Sequence, residues 1–487
     1  MVNQRAANPG LVETGKRKQQ NGLELTRGPI VSVLLRLAWP IMVSDLLQTA
    51  YNLVDTFWVA KVGAAAVAAV SISFPIVFFL FAVGMGFTIA GTALVAQYTG
   101  AGDGSYANRV AGQTLSFVSA IALFFTVVGF FFHRHFLVWM NAGPEVLPLA
   151  SGYLRVIFAG VIFMFFFFVF SSVLRGSGDT VTPMKLMAVS VGLNVVLDPV
   201  LIFGLGPFPE MGVVGAAVAT VFSRGVVAVY GIAVLFTGWY GIHLRLVHLV
   251  PDPGLVKKIF VIGLPAALDR SARALGLAVM TGVVGVFGTV ALAAYGIVGR
   301  ILSLVFMPSI GMAAASTTMV GQNLGADLPS RARKSAWTGV VLNFLGLTLL
   351  GLLFFLFPHQ AIVVFTRDPE VLRIGSEFIR ITALSFGSMG AIIVAGGALQ
   401  GAGKTVPAMV FSVLSLWVLQ IPLAILLPRY PGLGVAGIWW AITVSNVLTA
   451  FVAFVWLQRN RWQKVIEKPG PRDDGSEAGL LRDAHKP

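Results

Sequence analysis

Residues Leu37 to Ala60 read LAWPIMVSDLLQTAYNLVDTFWVA, a run long enough to cross a bilayer that nevertheless carries two aspartates, Asp45 and Asp55. A membrane-spanning helix needs about 20 mostly apolar residues. A carboxylate near the bilayer centre costs at least ~2.5 kcal/mol, so such a side chain turns toward protein or a water-filled cavity. At the helical period, Ser44, Gln48, Tyr51, Asn52 and Asp55 fall along one side, with Asp45 at its margin. The opposite side is Ile, Val, Leu and Phe. The stretch therefore reads as a membrane helix with a wet stripe. Pro40, near its start, is a place for a kink.

The rest of the chain has the same character. Of 487 residues, 57% are hydrophobic and 11% charged, where a soluble protein would carry about 25% charged residues. The composition is that of a polytopic membrane protein. With no cysteine, disulfides and thiolate metal sites are excluded. The net charge of +14 is scattered over loops and tails, which fits membrane topology better than binding to nucleic acid. The polar, basic N-terminus (Arg5, Lys16, Arg17, Lys18, Arg27, Arg36) lacks the apolar core of a cleavable signal. It reads as disordered, like the tail from Gln458.

Apolar runs predict twelve helices, near 31–59, 65–92, 111–132, 148–174, 183–204, 212–236, 255–283, 288–316, 335–357, 372–399, 406–427 and 434–457. With the N-terminus inside, the only Lys and Arg of the outer loops are Lys61, Arg134, Arg367, Arg373 and Arg429. The remaining loop and tail cations face inward, which places both termini in the cytoplasm of a cell that carries the protein in its plasma membrane.

The chain repeats itself at an offset of 225 residues, Pro40 matching Pro265. Thr92, Val95, Gln97, Gly100 and Ala101 match Thr317, Val320, Gln322, Gly325 and Ala326. Leu174, Gly176, Gly178 and Thr180 match Leu399, Gly401, Gly403 and Thr405. After a three-residue shift, Gly212, Val213 and Gly215 match Gly434, Val435 and Gly437. Six helices per repeat return the chain to its starting side, so the repeats are parallel. The expected organisation is an N-terminal tail (1–30), an N-lobe (31–236), a linker (237–254), a C-lobe (255–457) and a C-terminal tail (458–487). Two such bundles about a pseudo-two-fold axis are a transporter architecture.

Few acids lie within the apolar runs: Asp45, Asp55, Asp198 and Asp269, with Glu377 near a helix end. In SVGLNVVLDP, Ser190, Asn194 and Asp198 are spaced by four and share one face, and Pro199 follows. Asp55 and Asp198 fall at similar depth in the outer half of the first repeat. Their repeat partners are Met280 and Leu423. The acid pair reads either as a cation or proton site or as a hydrogen-bonded packing contact. Thr220, in GVVGAAVAT, reads either as a hydroxyl added to the Asp198 site or as part of a small-residue pattern for close helix packing. Asp45, whose repeat partner is Arg270, reads as a structural partner of a base, as lining of the cytoplasmic mouth, or as transport chemistry. Asp269 divides between local charge pairing, with Arg270 and Arg273 close by, and touching substrate. The FMFFFFVF run at 163–170 reads as lipid-facing or core packing. GSGDT and GAGKT are not phosphate loops, the histidines lack metal spacing, and no DxxxD acid cluster supports a membrane transferase. An enzyme is not expected.

LAWP, NLVDTFWVAKVG, VAQYTGAGD, LRGSGDTVTPM, LNVVLDP, GVVGAAVAT and their second-half echoes together resemble the multidrug and toxic compound extrusion (MATE) family, within it the DinF-like branch. The resemblance implies an all-α V of two lobes around a central cavity, without a cofactor, working as a monomer. It implies export of small organic cations driven by inward flow of H⁺ or Na⁺. By motif position, Asp55, Asp198 and Asn194 match the family's N-lobe coupling site, a possible Na⁺ site, with Thr220 beside them. Gln48, Tyr51, Asn52, Ser190 and Asp269 are expected on the substrate cavity, and Pro40 and Pro199 at conformational hinges. The alternative is a flippase for a lipid-linked oligosaccharide or lipid II-type precursor, whose anionic ligand would need basic residues such as Arg270, Arg273 and Arg300.

The orientation is testable, because the chain is free of cysteine. A single cysteine at Lys61 or Arg429 should react with an impermeant thiol reagent applied outside, and one at Asp103 or Lys404 should not. The opposite pattern overturns the orientation.

Overall fold

The structure, a computed structural model, describes residues 25–459 and 461–463. Most of both expected tails lies outside the described residues. The helices are α1 (Ile30–Val62), α2 (Ala64–Gly100), α3 (Gly104–Trp139), α4 (Val146–Ser177), α5 (Val181–Phe203) and α6 (Val213–Thr237). A 3₁₀ turn (Leu246–Leu249) leads into α7 (Pro253–Gly285), α8 (Thr289–Gly325), α9 (Pro329–Leu356) and the short α10 (Pro358–Val363). Then come α11 (Pro369–Ala383), α12 (Phe386–Gly401), α13 (Thr405–Val413), a π segment (Leu414–Gln420), α14 (Ile421–Leu426) and α15 (Ala436–Gln458).

Among the described residues ten spans are long and apolar enough to cross a membrane, one of them running from Thr405 through the π segment to Arg429. The pair α11–α12, bent by 56°, makes an eleventh. The 33-residue α7 is long enough for the twelfth, but Lys257, Lys258, Asp269, Arg270 and Arg273 lower its apolarity. The expected continuous helix over 372–399 is thus broken. At the break, Thr382 and Ser385 turn their hydroxyls back onto the carbonyls of Phe378 and Thr382, both at 2.9 Å. Such bonds compete with the helical ladder.

Local chemistry sets the helix ends. The Asp252 carboxylate accepts from the N–H groups of Gly254 and Leu255 at 2.9 and 3.3 Å, and Pro253 supplies a first helical residue with no N–H to satisfy. Asp368 and Pro369 repeat the device at α11. Gly178, at φ +96°, ends α4 in the left-handed region. Exposed Phe131, Leu349 and Phe451 mark outer surfaces that suit lipid. The 163–170 run is mainly core: Met164, Phe165, Val169 and Phe170 are fully buried, because α4 is packed against α2, α3 and α6.

The repeats meet where α1 and α2 pack on α7 and α8. The contact is symmetric in detail. Gln97 Nε2 donates to the Gly401 carbonyl at 2.9 Å, and Gln322 Nε2 donates to the Gly176 carbonyl at 2.9 Å. Each glutamine thus holds the backbone of the opposite repeat at equivalent positions. A Cβ on Gly100 would lie 2.0 Å from the Gln322 oxygen, and one on Gly325 would lie 1.8 Å from the Gln97 oxygen. Thr92 and Thr317 bond the carbonyls of Ser172 and Gly397 within their own repeats. The repeated sequence motifs are therefore the parts of this seam.

The segment between the repeats is strapped to α3. Gln113 donates to the carbonyls of His248 and Val250 at 2.8 and 2.6 Å and accepts from the Asp252 N–H at 2.8 Å. Arg109 pairs with Asp252 at 3.0 Å.

Gly100→Ala and Gly325→Ala should each destabilise the protein by roughly 1–3 kcal/mol, because backbone cannot yield as a flexible side chain can. Gly346, where an added Cβ would meet nothing within 4 Å, is the control, and Gly346→Ala should leave thermal unfolding in detergent unchanged or slightly raised. Equal melting of all three variants would show that the seam is not close-packed.

Candidate functional site

The polar stripe of α1 faces α5 and α6 within the first repeat. Asn194 Nδ2 donates to Asp198 Oδ1 at 2.8 Å along one face of α5, as the spacing of four predicts. Asn194 and Asp198 are fully buried. Asp55 on α1 lies close enough to Asp198 for the two charges to interact. Tyr153 on α4 lies within electrostatic reach of Tyr51, Asp55 and Asp198. The Tyr51 hydroxyl is 3.4 Å from Ser223 Oγ and borders Thr220. Thr220 therefore joins the site through Tyr51; among the described residues no hydrogen bond links it to Asp198.

The oxygens left over define what the site can hold. Asp55 Oδ1, Asp198 Oδ2, Asn194 Oδ1 and Ser190 Oγ are enclosed without a hydrogen-bond partner. A buried acceptor left unsatisfied costs about 1–3 kcal/mol, and more when charged. Unpaired carboxylate and amide oxygens suit either a proton on a carboxyl group or a hard monovalent cation. Among the described residues no three His, Cys, Asp or Glu side chains gather as a metal cluster.

At the edge of this site lies a residue that the sequence reading did not single out. Arg224 on α6 is 2% exposed. It donates to Gln48 Oε1 at 2.5 Å, and its guanidinium lies 5.1 Å from the Tyr51 ring centre. Gln48 in turn donates to Asn52 at 3.1 Å, and Asn52 is exposed. Arg224 has no carboxylate partner among the described residues. Its sequence signal was available: it stands four residues after Thr220, on the same helix face.

Other expected residues go elsewhere. Asp269 is buried and pairs with Arg273 at 3.3 Å. Asp45 lies within electrostatic reach of Arg175 and Arg270. Pro40 and Pro199 both lie inside continuous helices, with Ser44 Oγ bonding the Pro40 carbonyl at 2.8 Å. In the second repeat the counterparts of the two acids are apolar, while Ser415, the equivalent of Ser190, donates to Asn446 at 3.2 Å. Met280 and Phe378, the partners of Asp55 and Tyr153, pack with Leu423 in one core, and Trp439 stacks on Phe378 at 3.8 Å.

The sequence model of the MatE family matches residues 40–200 and again 265–426. The chain belongs to the MATE family. This MATE protein is 29% identical to the probable multidrug resistance protein YoeA of Bacillus subtilis, over 86% of this chain and 93% of that one. It is 29% identical to the probable multidrug resistance protein NorM of Thermotoga maritima, over 88% and 93%. Its fold is similar, at a TM-score of 0.84 and 27% identity, to a MOP superfamily transporter from Pyrococcus furiosus. That likeness covers 91% of this chain and 99% of the other, whose binding pocket is described as having reverse polarity. The MATE chain is thus a multi-pass membrane transporter of the multidrug efflux type and not an enzyme.

Removing the acceptor of a buried guanidinium should cost more than removing both partners. Gln48→Ala should lower stability by about 1–3 kcal/mol, while adding Arg224→Met should restore most of it. Thermal unfolding of the two single variants and the double variant measures the coupling, and simple additivity would show that the pair is not an energetic unit.

Proposed function

We propose that this transporter exports small organic cations in exchange for H⁺ or Na⁺, coupled through Asp55, Asp198 and Asn194 in the first repeat. One observation carries the reading. One carboxylate oxygen each of Asp55 and Asp198 is enclosed without a donor among the described residues, beside a polar stripe that reaches the exposed Asn52, and the second repeat has Met280 and Leu423 in place of the two acids. A purely structural role gives no reason for Met280 and Leu423 to replace the two acids at the equivalent places.

The mechanism follows from charge in a low-dielectric interior. With the site ionised, the polar stripe holds water and favours a cationic passenger. Arrival of H⁺ or Na⁺ from outside neutralises an oxygen that lacks a donor. The cavity then loses the charge that hydrated it, and its cationic passenger leaves outward. Pro40 and Pro199 remove helix-stabilising N–H groups on α1 and α5 and give those helices places to bend. In this reading residues 31–236 and 255–457 are the two lobes, both termini face the cytoplasm, and the monomer is the working unit. A second reading, flipping of an anionic lipid-linked oligosaccharide or lipid II-type precursor, draws on the buried Arg224.

Proteoliposomes loaded with ethidium, with a pH gradient and a Na⁺ gradient imposed separately, test the proposal. One gradient should drive efflux. Asp55→Asn and Asp198→Asn should each cut driven efflux at least about tenfold, while Met280→Leu and Leu423→Met change it little. Full driven efflux by the double Asp→Asn variant would falsify the coupling site.

A further inference from the structure

A second group of charges lies on the seam between the repeats. Arg175 stands at the end of α4, and its carbonyl accepts the Thr318 hydroxyl of α8 at 2.9 Å. The next carbonyl, of Gly176, accepts Gln322. Arg175 is therefore anchored at the glutamine seam. Arg270 comes from the other repeat, one turn after Ala267, against whose backbone Gly86 of α2 is pressed. The two arginines and Asp45 of α1 lie within electrostatic reach of one another.

What sets these arginines apart is how little answers them. Arg273 pairs with Asp269 and bonds Ser412, and Arg109 pairs with Asp252. Arg175 and Arg270 make no side-chain hydrogen bond or ion pair among the described residues, and the Nε of each is enclosed without a partner. Asp45 Oδ2 is likewise enclosed and unpartnered. Asp269 and Arg273 also act on Arg270, so two carboxylates stand against three guanidiniums, leaving a surplus positive charge. Asp45, Arg175 and Arg270 are each half-buried, so water screens their charges only in part, and neighbouring guanidiniums repel. A guanidinium presents a planar fork that matches carboxylate and phosphate oxygens.

We propose that Arg175 and Arg270 form a binding site for the anionic group, a carboxylate or a phosphate, of an exported molecule, one arginine being supplied by each repeat. The inference rests on the export reading above and narrows the substrate class to amphoteric compounds that carry an oxyanion beside their cationic centre. Asp45, the repeat equivalent of Arg270, limits the site to a single negative group. Because the two arginines belong to different repeats, the bound oxyanion ties the repeats together at the seam.

Two dyes of one scaffold test this on purified full-length protein in detergent. Rhodamine 110 is a cationic xanthene bearing a free benzoate, and rhodamine 123 is its methyl ester. By fluorescence polarisation the wild-type protein should bind the free acid at least about tenfold more tightly than the ester. Arg175→Gln and Arg270→Gln should each abolish that preference while leaving ester affinity unchanged, which also shows that the variants are folded. Arg270→Lys should keep part of the preference, and Asp45→Asn should increase it. Equal binding of the two dyes by the wild type, or a wild-type ratio in both Gln variants, overturns the anion site and leaves ethidium export standing. Arginine-dependent preference for the acid in a protein that fails to export ethidium supports the site and counts against export of simple cations.

Discussion

Inside a bilayer a polar group has no bulk water to fall back on, so each one must be answered by the protein, by a bound ion or by water in a cavity. This constraint divides the molecule's polar residues into two kinds. The seam residues Gln97, Gln322, Thr92 and Thr317 are answered by backbone carbonyls, and they hold the helices in place. The enclosed oxygens of Asp55, Asp198 and Asn194, and the Nε atoms of Arg175 and Arg270, are not answered. Structure is built from the first kind, and function is read from the second.

Duplication explains how both kinds coexist. A symmetric seam needs equivalent residues in both repeats, and both repeats carry them. The coupling site proposed above needs only one place. The second repeat replaces the two acids with Met280 and Leu423, which join Phe378 and Trp439 in an aromatic and aliphatic core. The two halves thereby differ: one carries an acid pair in its interior, and the other an aromatic and aliphatic core at the counterpart positions.

Much of this was legible in the chain. The wet stripe of α1 and the Ser190–Asn194–Asp198 face follow from helical periodicity, and the Gln97/Gln322 motif from the repeat offset. Three features were not. The bend after Ala383 lies in an apolar run whose first-repeat counterpart, in α4, is continuous; hydroxyl bonding by Thr382 and Ser385 decides it, and composition does not show that. The π segment at Leu414–Gln420 precedes Pro422 in a run with ordinary helical hydropathy. Arg224 is a lone base in an apolar sequence, which reads as a side chain reaching for the interface. Only tertiary packing shows it enclosed beneath Gln48 and Tyr51. Likewise, sequence aligns Asp45 with Arg270 as repeat equivalents but cannot show that they face each other with Arg175.

The strap on α3 has a mechanical meaning. Gln113 and Arg109 hold the connecting segment as far as Asp252, so the second repeat leaves its anchorage at Pro253, where α7 begins. The joint between the halves is therefore a point and not a length of slack chain. From that fulcrum α7 extends for 33 residues, a rod of about 50 Å. A tilt of about 10° at the fulcrum carries its far end roughly 9 Å at that rod length, about the width of a helix, while the near end hardly moves.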